Sequence, residues 1–176
     1  QELAYALAAG VRALRVLEEG GLDAATAAGL LEFRIAVTDE QFPSIAKLRA
    51  GRRLWLRVLE LSGVADGVQR QHAVTSRPMM SAYDPYVNML RTTVAAFAAG
   101  VGGAEAVTVL PFDAPLGRPE GFGRRIARNI SHLLIDEAHL GKVGDIAGGA
   151  YAVEKLTDDL ARVAWDLFVE IGRAHV

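Results

Sequence analysis

Short runs of β-forming residues alternate along this chain with longer stretches of helical periodicity, and that rhythm limits the fold more than any single motif. Residues 31–37 (LEFRIAV) alternate apolar with polar side chains, as a half-buried strand does, with a helix extension as the alternative. Residues 71–75 and the β-branched run 106–111 (AVTVLP) read as two more strands, and residues 142–145 as a short fourth. Between them lie helical patterns. Leu3, Leu7, Val11, Leu14 and Leu17 recur at steps of three and four before Gly20 and Gly21 end the run. Asp23 is placed to cap a short helix over residues 24–30. Pro43 suits the first turn of a helix whose inner face is Ile45, Leu48, Trp55 and Leu59. Further helices are predicted over 86–99, over 124–138, and after the Gly148-Gly149 turn. The last is expected to be capped near Thr157 and to pack Leu160, Val163, Leu167 and Ile171. Strands each followed by a helix imply an α/β fold with a parallel sheet and right-handed crossovers. Four βα units make either a small open sheet or half of an eight-stranded barrel.

Composition narrows the function classes. The 176 residues, 51% apolar, suffice for one domain with a core. Zero cysteines exclude disulfides, thiolate metal sites and thiol nucleophiles. A net charge of −2 gives no electrostatic reason to expect nucleic acid or a membrane surface. No apolar run reaches bilayer length and no signal peptide opens the chain, so a cytoplasmic setting is expected. The start at Gln1, already helical in pattern, predicts a piece of a longer protein.

Polar residues gather where α/β folds bind ligands. The strand at 71–75 carries His72 and ends in Thr75, Ser76 and Arg77, at the mouth side of a parallel sheet. These four are candidate mouth residues, although no nucleophile–base–orienter set can be assembled from them. Arg49, Arg52 and Arg53 crowd Trp55 in KLRAGRRLWLR. That grouping suits either a clamp for phosphates with an indole to stack on, or a solvated basic face above a core tryptophan. The glycine runs at 100–103 and 146–150 lack the spacing of a phosphate loop and read as helix ends and turns. His132, Asp136 and His139 fall on one helical face, but the helix end near Gly141 makes a surface cluster the better reading than a metal site. Arg124, Arg125 and Arg128 read as an exposed rim.

Four stretches together resemble the cobalamin-dependent acyl-CoA mutases of the methylmalonyl-CoA mutase family. They are IAKLRAGRRLW from Ile45, HAVTSRPMMSAYDPYVNMLRTTVAAFAAGVGG from His72, FGRRIARN from Phe122 and GDIAGGAYAVEKLTDDLA from Gly144. The resemblance runs the length of the chain in order and spacing. It implies that residues 1–176 are the C-terminal half of an acyl-CoA-binding (β/α)8 TIM barrel, with about four βα units, and that the family's cobalamin-binding domain lies beyond Val176. It also implies CoA contacts at Arg53, Leu54 and Trp55.

The departures from the family pattern point to a role. Catalytic chains carry a Tyr-His pair on the strand just before the point where this chain begins. Where they read HCQTSG, this one has Val74 in place of the amide. Where they read SLHTN, it has Thr108, Val109 and Leu110 in place of His-Thr-Asn. DPWGGS has become Asp145 to Ala150, and ARNTQ has become ARNIS. Adenosylcobalamin, the cofactor of the parent enzyme, supplies radical chemistry and needs placed polar groups around it. Filling such positions with Val74, Val109 and Leu110 is expected of the small, non-catalytic subunit of a heterodimeric mutase. This fragment is therefore expected to bind no cobalamin and to hold no catalytic residue. Its expected partner is the catalytic large subunit or, failing that, a second half-barrel, with an acyl-CoA ligand carried over from the family. The alternatives are a catalytic mutase with altered acyl specificity and a non-enzymatic oligomerisation module.

Overall fold

Phe33, Ile35 and Val37 are buried while Glu32 and Arg34 between them are exposed, and this period of two makes residues 32–37 a strand with one wet face. The computed structural model describes residues 1–173. Its elements run α1 (Glu2–Glu19), α2 (Ala24–Gly29), β1 (Glu32–Val37), α3 (Gln41–Leu61), β2 (Arg70–Thr75), α4 (Val87–Val101), β3 (Ala106–Thr108), α5 (Gly121–His132) and α6 (Tyr151–Arg173). The sheet is parallel throughout, in the order β1-β2-β3. Val37 stands opposite Thr75, and Val74 opposite Thr108. The protein is thus a mixed α/β fold with three βα units among the described residues.

Helices pack on one side of this sheet. Residues Phe33, Ile35, Val37, Gln71, Ala73 and Thr75 face α3 and α4 and are all buried. The other face presents Glu32, Arg34 and Arg70, all exposed, with half-buried Ala36, His72 and Val74. Helix α6 lies outside α3 and α1 as a further strut, seated on Val153, Thr157, Ala161 and Ala164 at helical spacing.

Several expectations hold in detail. The Asp23 carboxylate accepts the Thr26 amide at 3.0 Å and caps α2. Ile45, Leu48, Trp55 and Leu59 are all buried. Others are corrected. Residues 142–145 form turns rather than a fourth strand, because Gly141 (φ 93°) and Asp145 (φ 48°) take left-handed backbone that no strand admits. The third strand stops at Thr108; two residues on, the Leu110 amide donates to Thr75 Oγ1 at 2.8 Å instead of a ladder carbonyl, and Pro111 has no amide to give. Helix α6 begins six residues before its expected cap. Thr157 lies buried inside it, donating to the Val153 carbonyl at 2.7 Å, and Val163 is exposed. The α5 helix starts at Gly121 and gives way to a π-turn over Leu133–Glu137.

A close contact in the core joins α1, β1 and α3. Trp55 is fully buried, edge-on to Phe33 with ring centroids 4.7 Å apart. A Cβ on Gly10 would stand 2.8 Å from both rings, so only glycine lets α1 approach this closely. Gly10→Ala should therefore cost about 1–3 kcal/mol through overpacking. Gly29→Ala, which meets nothing within 4 Å, should be neutral or slightly stabilising. Equal denaturation midpoints for the two variants would contradict this packing.

Candidate functional site

The strand ends hold the four mouth candidates, and the pleat of β2 divides them. Thr75 points to the helix side, is fully buried, and accepts the Leu110 amide. Ser76 donates its amide to the Val37 carbonyl at 2.7 Å. The exposed Arg77 reaches sideways to donate to the Ala114 carbonyl at 3.1 Å. Each of these groups ties one strand end to the next.

His72 is the one candidate on the open face, and both of its ring nitrogens are engaged. Nε2 lies 2.7 Å from Thr108 Oγ1 on β3, and Nδ1 lies 3.5 Å from a Glu32 carboxylate oxygen on β1. The result is a polar row, Glu32–His72–Thr108, crossing all three strands. Sequence reading picked out His72, and Thr108 only as a departure from the family pattern, but neither Glu32 nor the pairing, because cross-strand neighbours depend on register and not on local pattern. Towards the strand ends the same face turns apolar, with Val74 between Ala36 and Thr108. Val109 does not line the mouth, contrary to expectation. It packs on the helix side against the cluster of Ala96, Ile130 and Leu134.

The arginine trio of α3 borders a cleft of about 460 Å³, and every member is partnered. Arg49 contacts Asp145 and donates to Glu154 at 2.7 Å. Arg52 donates to the carbonyls of Gly102 and Gly103 at the end of α4, and to Gln71 Oε1 at 2.7 Å. Burial lowers the basicity of Arg52, opposed by the Glu105 charge and assisted by Arg49. Arg53 donates to Asp158 of α6 at 2.9 Å. Of the Arg53-Leu54-Trp55 segment only Arg53 is exposed; Leu54 and Trp55 are enclosed, and Trp55 offers no free face for stacking. Sequence gave no signal for these acidic partners, which lie about a hundred residues further on. Gln71 completes the network: its amide nitrogen donates to the Leu48 carbonyl at 2.8 Å and to Gln69 at 2.7 Å. The His132 ring stands 3.4 Å from Asp136, while His139 sits in left-handed backbone (φ 58°). Among the described residues no group of three His, Cys, Asp or Glu is placed to hold a metal ion.

A family profile described as methylmalonyl-CoA mutase matches residues 1–174. The chain belongs to that family. It is 62% identical over 175 residues to a methylmalonyl-CoA mutase small subunit of Streptomyces virginiae, covering 99% of this chain and 28% of that protein. Against the methylmalonyl-CoA mutase small subunit of Propionibacterium freudenreichii subsp. shermanii the identity is 47%, covering 98% and 27%. Against a methylmalonyl-CoA mutase of Rhizobium meliloti it is 37%, covering 97% and 24%. The chain therefore spans less than a third of the length of these relatives. Among the described residues no helix is long and apolar enough to cross a membrane.

The Arg49 contacts hold the segment between the π-turn and α6 against α3. The Gly149 amide and Arg49 keep the Glu154 carboxyl below its ordinary range. A depressed carboxylate contributes its stabilisation above its unfolded value and loses it as pH falls through the folded value. Arg49→Met should therefore speed hydrogen exchange at Gly148 and Gly149. In the wild type the same loosening should appear on acidification through the carboxylate range. Unchanged protection in both experiments would show that the segment is held by other contacts.

Proposed function

We propose that this chain is part of a mutase small subunit that supports a catalytic partner chain in interconverting methylmalonyl-CoA and succinyl-CoA, and that it does no chemistry itself. The observation that carries the reading is the state of the strand ends. Thr75 is buried and accepts the Leu110 amide, Arg77 donates to the Ala114 carbonyl, His72 lies between Glu32 and Thr108, and Val74 occupies the open face beside them. Nothing there forms a nucleophile, base and orienter set. The higher identity to the Streptomyces virginiae and Propionibacterium freudenreichii small subunits than to the Rhizobium meliloti mutase supports the same view.

Adenosylcobalamin supplies the radical chemistry of the family's isomerisation when bound to a catalytic chain. The residues at these strand ends fit a corrin poorly, since Thr75 is buried on the helix side and Ala36 and Val74 offer no side-chain hydrogen bond on the open face. A CoA contact in this segment would run through Arg53, because Leu54 and Trp55 are enclosed. The three βα units are part of a (β/α)8 barrel. The outer edges of β1 and β3 are completed either by the rest of the parent chain or by a second copy, since an open edge invites pairing. We place the protein in the cytoplasm, beside the acyl-CoA esters of its partner enzyme.

The parent chain, assayed alone with adenosylcobalamin and methylmalonyl-CoA, should form no succinyl-CoA above background, and addition of the catalytic partner should bring turnover. Turnover by the parent chain alone would overturn the proposal.

A further inference from the structure

The loops that follow β2 and β3 leave the sheet as separate segments, yet one buried side chain holds both. Asn88 lies in the first turn of α4 and is fully buried. Its Nδ2 donates to the Ser81 carbonyl at 2.8 Å in the loop after β2, and to the Phe112 carbonyl at 3.0 Å in the loop after β3. Its Oδ1 accepts the Ser81 amide at 2.9 Å and Arg91 Nη1 at 3.1 Å. A carboxamide offers two N–H groups and two lone pairs, so this one is fully used. Two donors face Oδ1 and two carbonyls face Nδ2, which leaves the group a single orientation. Thr92, also fully buried, donates to the Asn88 carbonyl at 2.8 Å and steadies the turn. Arg91 stands in turn beside Asp39 in the loop after β1, with Nε 3.8 Å from Oδ2.

Packing alone does not call for an amide here. An apolar side chain would fill the space without the desolvation of a carboxamide. A buried amide adds little net stability when satisfied, but it costs its full desolvation when a partner leaves. That asymmetry couples the two loops. If the Phe112 carbonyl withdraws, an Nδ2 hydrogen is stranded in the core, and the cost falls on the arrangement that also holds Ser81.

The second loop has anchors of its own. The Ala114 amide donates to the Pro111 carbonyl at 3.0 Å. Asp113 accepts the Glu120 amide at 2.9 Å, and its carboxylate fills the space where a Cβ on Gly123 would lie. Two further contacts span the loops, Arg77 to the Ala114 carbonyl at 3.1 Å and Tyr86 stacked on Phe112 with centroids 5.3 Å apart. Arg77 and Tyr86 are both exposed, so water can replace what they lose. Asn88 makes its bonds out of reach of water.

We infer that Asn88 makes the loops after β2 and β3 one cooperative unit, so that a disturbance of either loop reaches the other through the carboxamide. Segments joined by fully satisfied buried bonds open together, as local unfolding units do. Such coupling belongs to this chain's own loops and involves neither partner nor ligand, so its absence would leave the subunit reading untouched.

Hydrogen exchange of the full-length parent chain, read by mass spectrometry on peptides carrying the Ser81 and Ala114 amides, tests the coupling as a double-mutant cycle. Among the described residues Asp113 has no hydrogen bond to the loop after β2. Asp113→Ala should nevertheless speed exchange at Ala114 by about tenfold and at Ser81 by the same factor. Asn88→Asp keeps an oxygen to accept the Ser81 amide but loses both donors, and in that background Asp113→Ala should speed Ala114 alone. Arg77→Met and Tyr86→Ala should each leave the shared response in place. A rise at Ala114 that Ser81 does not share would overturn the inference, as would no change at either amide. So would a shared response that survives Asn88→Asp. If Asn88→Asp does not fold, the other two variants decide: loss of the shared response in either would overturn the coupling through Asn88, and its persistence in both would support it.

Discussion

The pleat of β2 is the constraint from which the rest of this structure follows. Successive side chains on a strand point to opposite faces, so once Ala73 is seated in the core, Gln71 and Thr75 must face the helices while His72 and Val74 face outward. This single alternation divides the strand-end residues into two sets with different roles. The inward set is consumed in holding the layers together, with Thr75 bonded to the chain beyond β3 and Gln71 bonded to α3. Of the outward set, His72 joins the Glu32–His72–Thr108 row and Val74 packs between Ala36 and Thr108. A polar residue near a strand end is thus a candidate for chemistry only on the correct side of the sheet.

Helix α3 shows the same logic on a larger scale. Its inner stripe places Trp55 between Phe33 and Gly10, and its outer arginines reach three different elements. Arg49 reaches the segment before α6, Arg52 the end of α4, and Arg53 reaches α6 itself. Such exposed or half-exposed ion pairs contribute little individually, but together they fix where α4, α6 and the connecting turns dock. The arrangement is that of a structural hub. Charge that would otherwise be free to meet phosphates is balanced by Asp145, Glu154 and Asp158.

Much of this architecture was legible in the sequence. The periodicities of α1 and α3, the Asp23 cap and the first two strands depend on local pattern, which sequence displays directly. What was not legible depends on contacts distant in sequence. Residues 142–145 look extended until the left-handed backbone at Gly141 and Asp145 is known. Val109 was placed at the mouth by the family resemblance, but the pleat that turns Val107, opposite Ala73, towards the helices carries Val109 to the same side. The partners of the three α3 arginines, and the Asp113 contact that fixes α5, are likewise set by tertiary approach. Thr157 read as a cap because threonine is common there. Buried in a helix interior, it instead bonds back to the preceding turn.

The central claim is that the strand-end groups of this chain hold structure and do not meet substrate. It is tested most directly by measuring kcat of the assembled two-chain enzyme carrying His72→Gln and Arg77→Lys in the parent of this chain. With assembly verified, the account predicts a kcat unchanged from wild type. A fall of about tenfold, equivalent to roughly 1.4 kcal/mol of transition-state stabilisation, with assembly intact would contradict it.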